Sequence, residues 1–364
     1  MKKLLLYIET LRRGGAERVM SEIANYFSEK YEVILVTNIN DDSTVKQYNV
    51  NNNIKRYYLD ELHRYTKNPI HKNIQRISEL RKICKKEQPN VGVSFLGNGN
   101  IRFLFATRRL SMRKMVSVRN DPKKEYRHKE LLAKVLFKKA DGVVFQTEDA
   151  KKWFPKSVQK KSKVILNPVN ELFFDTEWKP ANEKYIVTTG RLTKQKNHEL
   201  LIKAFAIFHK EFPNVKLFIY GSDFASGKQS RKSELETLIK DFQLEDFVFL
   251  PGNTENVCKV LSEASCFVLS SDYEGLPNAL MEALAVGLPC ISTDCPCGGP
   301  NSLIENGKNG ILVPVGAEKT LSDELIKIFK NETYTKSLAL SAKHHAQEFA
   351  RETVMDKWED FLFN

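Results

Sequence analysis

The stretch LLLYIETLRRGGAERVMSEIANYFSEKYEVILVT, residues 4–37, decides the fold. Leu4 to Ile8 and Glu32 to Thr37 are short apolar runs that predict buried strands. Between them Gly14-Gly15 opens a segment that carries Val19, Ile23, Ala24 and Phe27 on one helical face. Strand, glycine loop, helix and strand in that order imply a parallel sheet, because parallel strands need a crossover of about this length. The opening MKKLLLYIET has the early charge of an export signal, but its apolar run stops at Ile8 and Glu9, Arg12 and Arg13 close it. A first buried strand is therefore expected there, and no exported or membrane-spanning chain.

The same alternation continues outward. Asn40-Asp41-Asp42-Ser43 and Asn51-Asn52-Asn53 punctuate the chain before a strand at Ile54 to Leu59. A helix over Asn68 to Glu87 places Ile74, Ile77, Leu80 and Ile83 at helical spacing. Strands follow at Val91 to Phe95, Met115 to Val118 and Gly142 to Gln146. From Asn167-Pro168 to Asn182 the periodicity lapses, and a second series then begins. Its strands are expected at Tyr185 to Thr189, Lys216 to Tyr220, Val248 to Leu250, Cys266 to Leu269 and Cys290 to Thr293. Its helices are expected near Asn197 to Glu211, Ser230 to Phe242 and Asn278 to Val286. At 364 residues two cores are the natural expectation. The reading is α/β with two parallel-sheet domains: residues 1–170, a linker over 171–183, a second domain over 184–345, and a C-terminal helix within 346–364 that crosses back to the first. Ligands of such sheets bind beyond the strands' C-terminal ends, so two sheets facing each other would line an interdomain cleft with loops from both.

Composition narrows the function classes. No run approaches the roughly 20 apolar residues a membrane span needs. The six cysteines lack disulfide-framework spacing, and Cys295-Pro296-Cys297 lacks the second ligand pair of a closed zinc site, so reduced thiols and no metal are expected. The formal charge of +12 is concentrated: residues 101–139 hold thirteen Lys or Arg against three acidic residues. Such a surface attracts anionic lipid headgroups, a phosphorylated acceptor or nucleic acid. No zinc finger or single-strand-binding aromatic pattern accompanies it, which argues against nucleic acid. Phe103, Leu104, Phe105 and Leu110 beside Arg102, Arg108, Arg109, Arg113 and Lys114 suggest an amphipathic basic face for an anionic membrane surface, or simply a helix's core face.

Three loops can carry chemistry. Gly14-Gly15 lets backbone N–H groups approach an anion at a helix start, yet it matches neither the GxGxxG fingerprint nor the P-loop. Gly190-Arg191-Leu192-Thr193-Lys194-Gln195-Lys196-Asn197 follows the second domain's first strand, where Arg191 offers a guanidinium fork and Lys196 a point charge to a diphosphate. In Ser270-Ser271-Asp272-Tyr273-Glu274-Gly275-Leu276-Pro277-Asn278-Ala279-Leu280-Met281-Glu282, Glu274 occupies a strand-end loop and Glu282 the first turns of a helix. Two such carboxylates can act as acid and base, accept hydrogen bonds from sugar hydroxyls, or be solvated surface residues. The amides of Gly275, Leu276 and Asn278 can receive phosphate or hydroxyl oxygens. With cations on one loop, carboxylates on another and no DxD at a strand end, the set suggests metal-independent transfer from a nucleotide sugar.

These three loops, in this order and spacing, resemble the retaining glycosyltransferases of family 4, which have the GT-B fold of two Rossmann-like domains. The resemblance spans essentially the whole chain. It implies that Arg191 and Lys196 hold the donor diphosphate, Glu282 the ribose hydroxyls and Glu274 the donor sugar, with Gly275, Leu276 and Asn278 contributing backbone contacts. Gly14 and Gly15 would belong to the phosphate end of the donor. It implies transfer that retains anomeric configuration, by a front-face path that needs no protein nucleophile and no cofactor beyond the nucleotide-diphosphate sugar, UDP-linked by preference. Family members often place a histidine where this chain has Ser117-Val118-Arg119-Asn120, so Arg119 and Asn120 become candidate acceptor or sugar contacts. Gly298-Gly299, in the loop Asp294 to Pro300, would approach the donor closely. The resemblance is nearest to surface-polysaccharide transferases, implying a saccharide acceptor linked to polyprenyl diphosphate at the cytoplasmic face of the inner membrane. Acceptors based on diacylglycerol, a soluble sugar or a protein remain alternatives, as do a phosphorylase or epimerase and a nonenzymatic nucleotide-sugar-binding module.

Overall fold

The computed structural model describes residues 1–12, 14–40, 47–62, 68–223 and 230–364. Arg13 and the Asp41-Asp42-Ser43 turn lie outside the described residues. The chain forms two units, one of Met1–Pro168 with Val354–Asn364 and one of Val169–Thr353.

In the first unit the strands are β1 (Lys3–Tyr7), β2 (Glu32–Thr37), β3 (Lys55–Tyr58), β4 (Val91–Phe95), β5 (Arg113–Ser117), β6 (Gly142–Phe145) and β7 (Ser162–Val164). They form one sheet in the order β3-β2-β1-β4-β5-β6-β7. Each neighbouring pair runs parallel. The strands β1, β4 and β6 are buried along nearly their whole length, which explains their uninterrupted apolar runs. The crossover helix Gly15–Phe27 buries Val19, Ile23, Ala24 and Phe27, the face its spacing predicts. Asn68 caps the helix Pro69–Glu87 by accepting from the Ile70 and His71 amides.

The returning C-terminal segment completes this core. Trp358 is fully buried, its ring 5.9 Å from that of Phe95, and Phe363 stacks on Tyr31 at 4.2 Å. Glu359 accepts from Lys30 and the Tyr31 hydroxyl at 2.9 and 2.6 Å.

The first unit corrects the expected amphipathic membrane face. In the helix Gly97–Ala106 the side chains of Phe103 and Leu104 are core, and Arg102 is buried too. Arg102 donates to Tyr7 Oη, Glu9 Oε1 and Asn73 Oδ1. Apolar side chains next to a buried, satisfied guanidinium form the inside of a helix, so these residues cannot meet a bilayer. Phe105, Arg108 and Arg109 remain exposed.

The second unit contains β8 (Tyr185–Thr189), β9 (Lys216–Tyr220), β10 (Val248–Gly252), β11 (Cys266–Leu269), β12 (Cys290–Thr293) and β13 (Ile311–Val313), ordered β10-β9-β8-β11-β12-β13 and parallel throughout. Ile186, Leu217, Val268 and Ile291 from the sheet pack with Phe205 and Phe208 of the helix His198–His209 and with Leu321 and Leu325 of the helix Glu318–Lys330. In both sheets the strand order reverses beside the first strand, at β1/β4 and at β8/β11. That is the switch point where open parallel sheets bind ligands.

Candidate functional site

Two loops leave the switch point of the second unit. The first, Gly190 to Asn197, follows β8 and is held by hydrogen bonds from the Gly190 and Leu192 amides to the Tyr220 and Ser222 carbonyls, at 2.9 and 3.0 Å. A Cβ on Gly221 would lie 1.7 Å from the Gly190 carbonyl oxygen, so only glycine lets the two strand ends approach this closely. Asn197 adopts a left-handed conformation (φ 44°) and its side chain accepts from Leu200 N, which starts the next helix. Arg191 is exposed, whereas the Lys196 stem packs over Gly190.

The second loop, Ser270 to Pro277, follows β11. Its Glu274 is buried, and the carboxylate receives Lys196 Nζ and Ser271 Oγ, both at 2.7 Å, on Oε1. Gln195 Nε2 donates to the Tyr273 carbonyl at 2.9 Å and reaches Glu274 Oε2 at 3.4 Å. Backbone and side-chain bonds fasten the loops together: Asp272 N to Gln195 O at 2.9 Å, Asn197 Nδ2 to Asp272 Oδ1 at 2.7 Å, and Ser270 Oγ to Lys196 O at 3.0 Å. The cation of one motif and the carboxylate of the other thus meet in one partly dehydrated place.

A third loop docks behind Glu274. The Glu274 amide donates to Pro296 O at 2.6 Å and the Cys297 amide to Glu274 O at 2.8 Å. A Cβ on Gly299 would fall 1.9 Å from the Gly275 carbonyl oxygen. Gly299 thus packs tightly against the Gly275 backbone, next to Glu274. Cys295 and Cys297 are buried and form no disulfide, and burial pushes Cys295 up to about 12, out of reach of a thiolate at neutral pH.

Past Gly275 and Leu276, both buried, the helix Asn278–Val286 begins behind Pro277 with no side-chain cap. An uncapped start directs backbone N–H groups outward, a setting that suits an anion. Glu282 sits one turn in and is partly buried. It lies near Cys258, whose thiol is raised first by burial and further by the Glu282 charge. Next to Lys196, His198 is buried, and desolvation together with the Lys196 and Arg231 charges lowers it to about 3, so its ring is neutral.

Gly14, Gly15, Arg119 and Asn120 belong to the first unit. Gly14 and Gly15 open the helix after β1, at that sheet's own switch point. Arg119 does not present its guanidinium to solvent. It is buried over the Phe95 ring at 4.6 Å and donates to Asn167 and Ser117. Asn120 is exposed beside it.

Sequence reading missed Gln195, Ser271, Asp272 and Gly221 as site builders. A hydroxyl three residues before a buried carboxylate was the available signal for Ser271, and a glycine at the end of the neighbouring strand was that for Gly221.

Residues 170–347 match the family described as "Glycosyl transferases group 1". The chain is a glycosyltransferase, with the family match falling within its second unit. Over 96% of its length this glycosyltransferase is 29% identical to the N-acetylgalactosamine-N,N'-diacetylbacillosaminyl-diphospho-undecaprenol 4-alpha-N-acetylgalactosaminyltransferase of Campylobacter jejuni, covering 96% of that protein. Over 98% it is 27% identical to the GalNAc-alpha-(1->4)-GalNAc-alpha-(1->3)-diNAcBac-PP-undecaprenol alpha-1,4-N-acetyl-D-galactosaminyltransferase of the same organism, covering 97% of it. Among solved structures, Anabaena Alr3699/HepE in complex with UDP and glucose superposes with a TM-score of 0.83 over 99% of both chains at 17% identity, a likeness of fold. The glycosyltransferase therefore has the GT-B architecture of two Rossmann-like units.

Among the described residues no group of three or more His, Cys, Asp or Glu is arranged to hold a metal ion, and no helix is long and apolar enough to cross a membrane.

Proposed function

We propose that this glycosyltransferase moves a hexosyl or N-acetylhexosaminyl group, with retention of configuration, from a UDP-linked donor to a saccharide carried on polyprenyl diphosphate during assembly of a bacterial surface polysaccharide. The observation that carries this reading is the meeting of Lys196 and Glu274 at the switch point of the second sheet. A cation and a hydroxyl acceptor held together there suit a ligand that brings a diphosphate and a sugar to the same place. Both full-length Campylobacter relatives act, by name, on undecaprenyl-diphosphate-linked saccharides, which supports the acceptor class.

In this reading Arg191 and Lys196 stabilise the charge that grows on the departing diphosphate, a role that fixed cations perform without metal. Glu274 orients the sugar through its hydroxyls and Glu282 takes the ribose. Gly275, Leu276 and Asn278 offer backbone N–H groups, and Gly14 and Gly15 serve the phosphate end of the donor. Asn120, exposed where Arg119 is not, is the better acceptor contact of that pair. The enzyme works at the cytoplasmic face of the membrane as a peripheral protein. Its anchor is the helix Glu130–Leu136, where Leu131, Leu132 and Val135 are 78, 40 and 48% exposed among the exposed Lys123, Lys124, Arg127, Lys129, Lys138 and Lys139. Each cation near an anionic bilayer contributes roughly 1 kcal/mol of attraction.

The test is a screen of nucleotide sugars against short polyprenyl-diphosphate saccharides in EDTA, read by mass spectrometry. Transfer is expected from a UDP-sugar, with kcat/KM reduced at least ~100-fold in Arg191→Ala and Lys196→Ala at unchanged circular dichroism. Transfer that requires added metal, or variants that keep full kcat/KM, would overturn the assignment.

A further inference from the structure

Within the site Lys196 is paired with a carboxylate of the protein itself. Its ammonium and Ser271 Oγ share Glu274 Oε1, each at 2.7 Å, and the paired side chains retain only 16 and 9% of their exposure. The surrounding backbone is tied down by Asp272 N to Gln195 O and Ser270 Oγ to Lys196 O, and by Thr293 Oγ1, which donates to Ser271 O at 2.5 Å. Ser271 itself is fully buried. The group free to change partner is therefore the end of the Lys196 side chain, a point charge on a flexible stem.

We propose that this ion pair is exchanged during each turnover. The diphosphate draws the Lys196 ammonium away from Glu274, and hydroxyls of the sugar to be transferred donate to the carboxylate lone pairs left open. The inference rests on Lys196 being a diphosphate ligand. Both halves of the pair are then satisfied only by an intact donor, because its diphosphate compensates the cation and its sugar the anion.

A bare nucleoside diphosphate does half of this. It takes Lys196 and leaves Glu274 with the hydroxyl of Ser271 and the distant amide of Gln195, in a place where an uncompensated carboxylate is costly. After the sugar has left, Glu274 competes for Lys196 and weakens the hold on the product. The carboxylate thus discriminates against product and hastens its departure, in addition to orienting the sugar.

Calorimetric titration of the full-length protein with UDP and with GDP tests this. Glu274→Gln keeps the shape of the side chain but removes the competing charge, and is expected to bind the diphosphate at least threefold more tightly than wild type. The shorter Glu274→Asp should tighten it too, and covers the case in which Glu274→Gln folds poorly. Lys196→Met should weaken binding at least tenfold, and adding Glu274→Gln to it should give no further gain. In the Glu274→Gln protein UDP-glucose and UDP-N-acetylglucosamine should lose their advantage over UDP. If Lys196→Met weakens diphosphate binding but neither Glu274 variant strengthens it, the exchange is wrong while the diphosphate assignment stands. If Lys196→Met leaves binding unchanged, or neither nucleotide binds wild type, the assignment itself fails and the exchange with it.

Discussion

Glu125 holds its carboxylate in an unfavourable place. Oε1 accepts from the Gly97 amide at 2.8 Å, at the start of the helix Gly97–Ala106, while Oε2 is enclosed without a hydrogen-bond partner. The two residues fit only because Gly97 has no side chain, since a Cβ there would lie 2.8 Å from Glu125 Cγ. Burial raises the carboxyl from 4.5 to about 7, against the pull of the Gly97 amide and the Arg119 charge. Arg119 in turn is lowered by its own burial to about 9. Because the folded protein holds the Glu125 proton more tightly than the unfolded chain, the proton favours folding below about pH 4.5. This advantage disappears as pH rises to about 7, at a cost of up to roughly 3 kcal/mol. Glu125→Gln should therefore match wild type in thermal melts near pH 4.5 and melt several degrees higher at pH 8. A melting difference that does not vary with pH would contradict this account.

Among the elements, those with a strong period were legible from the sequence. β2, β4, β8, β9, β11, β12 and the helix Asn278–Val286 fall where the apolar runs put them, because a doubly covered parallel strand must be apolar on both faces. β7 and β13 were missed: each is three residues long, too short to show alternation or a run. The helix Gly97–Ala106 misled for a different reason. Its residues Arg102 to Phe105 have the composition of a membrane face, and only the distant Glu9 and Tyr7, through their bonds to Arg102, reveal that the arginine points inward. At the candidate site Lys196 and Glu274 stood out within their motifs, but the fastening through Gln195 and Asp272 joins loops some 75 to 80 residues apart and has no local signature. The helix Glu130–Leu136 now carries the membrane proposal. Changing Leu131, Leu132 and Val135 together to Gln should reduce cosedimentation with phosphatidylserine vesicles at least fivefold without altering transfer to a soluble acceptor analogue. Unchanged sedimentation would remove this helix from any membrane contact.

At the scale of the molecule, the chain leaves its first unit after Pro168 and rejoins it at Val354. The returning segment is structural to the first sheet: with Trp358 fully buried against Phe95, Trp358→Ala should cost about 3–5 kcal/mol, read as a lowered denaturation midpoint. A shift below 1 kcal/mol would mean that the return contributes little to that core. The two crossings are adjacent where they enter the second unit, since the Val169 amide donates to Phe349 O at 3.0 Å and Val169 bridges to Ala350. In topological terms the second unit is an insertion with neighbouring ends, spliced into a host built from the chain on either side of it. Such an arrangement lets evolution, or an engineer, exchange the whole inserted unit at two neighbouring chain crossings while keeping the residues of the host sheet.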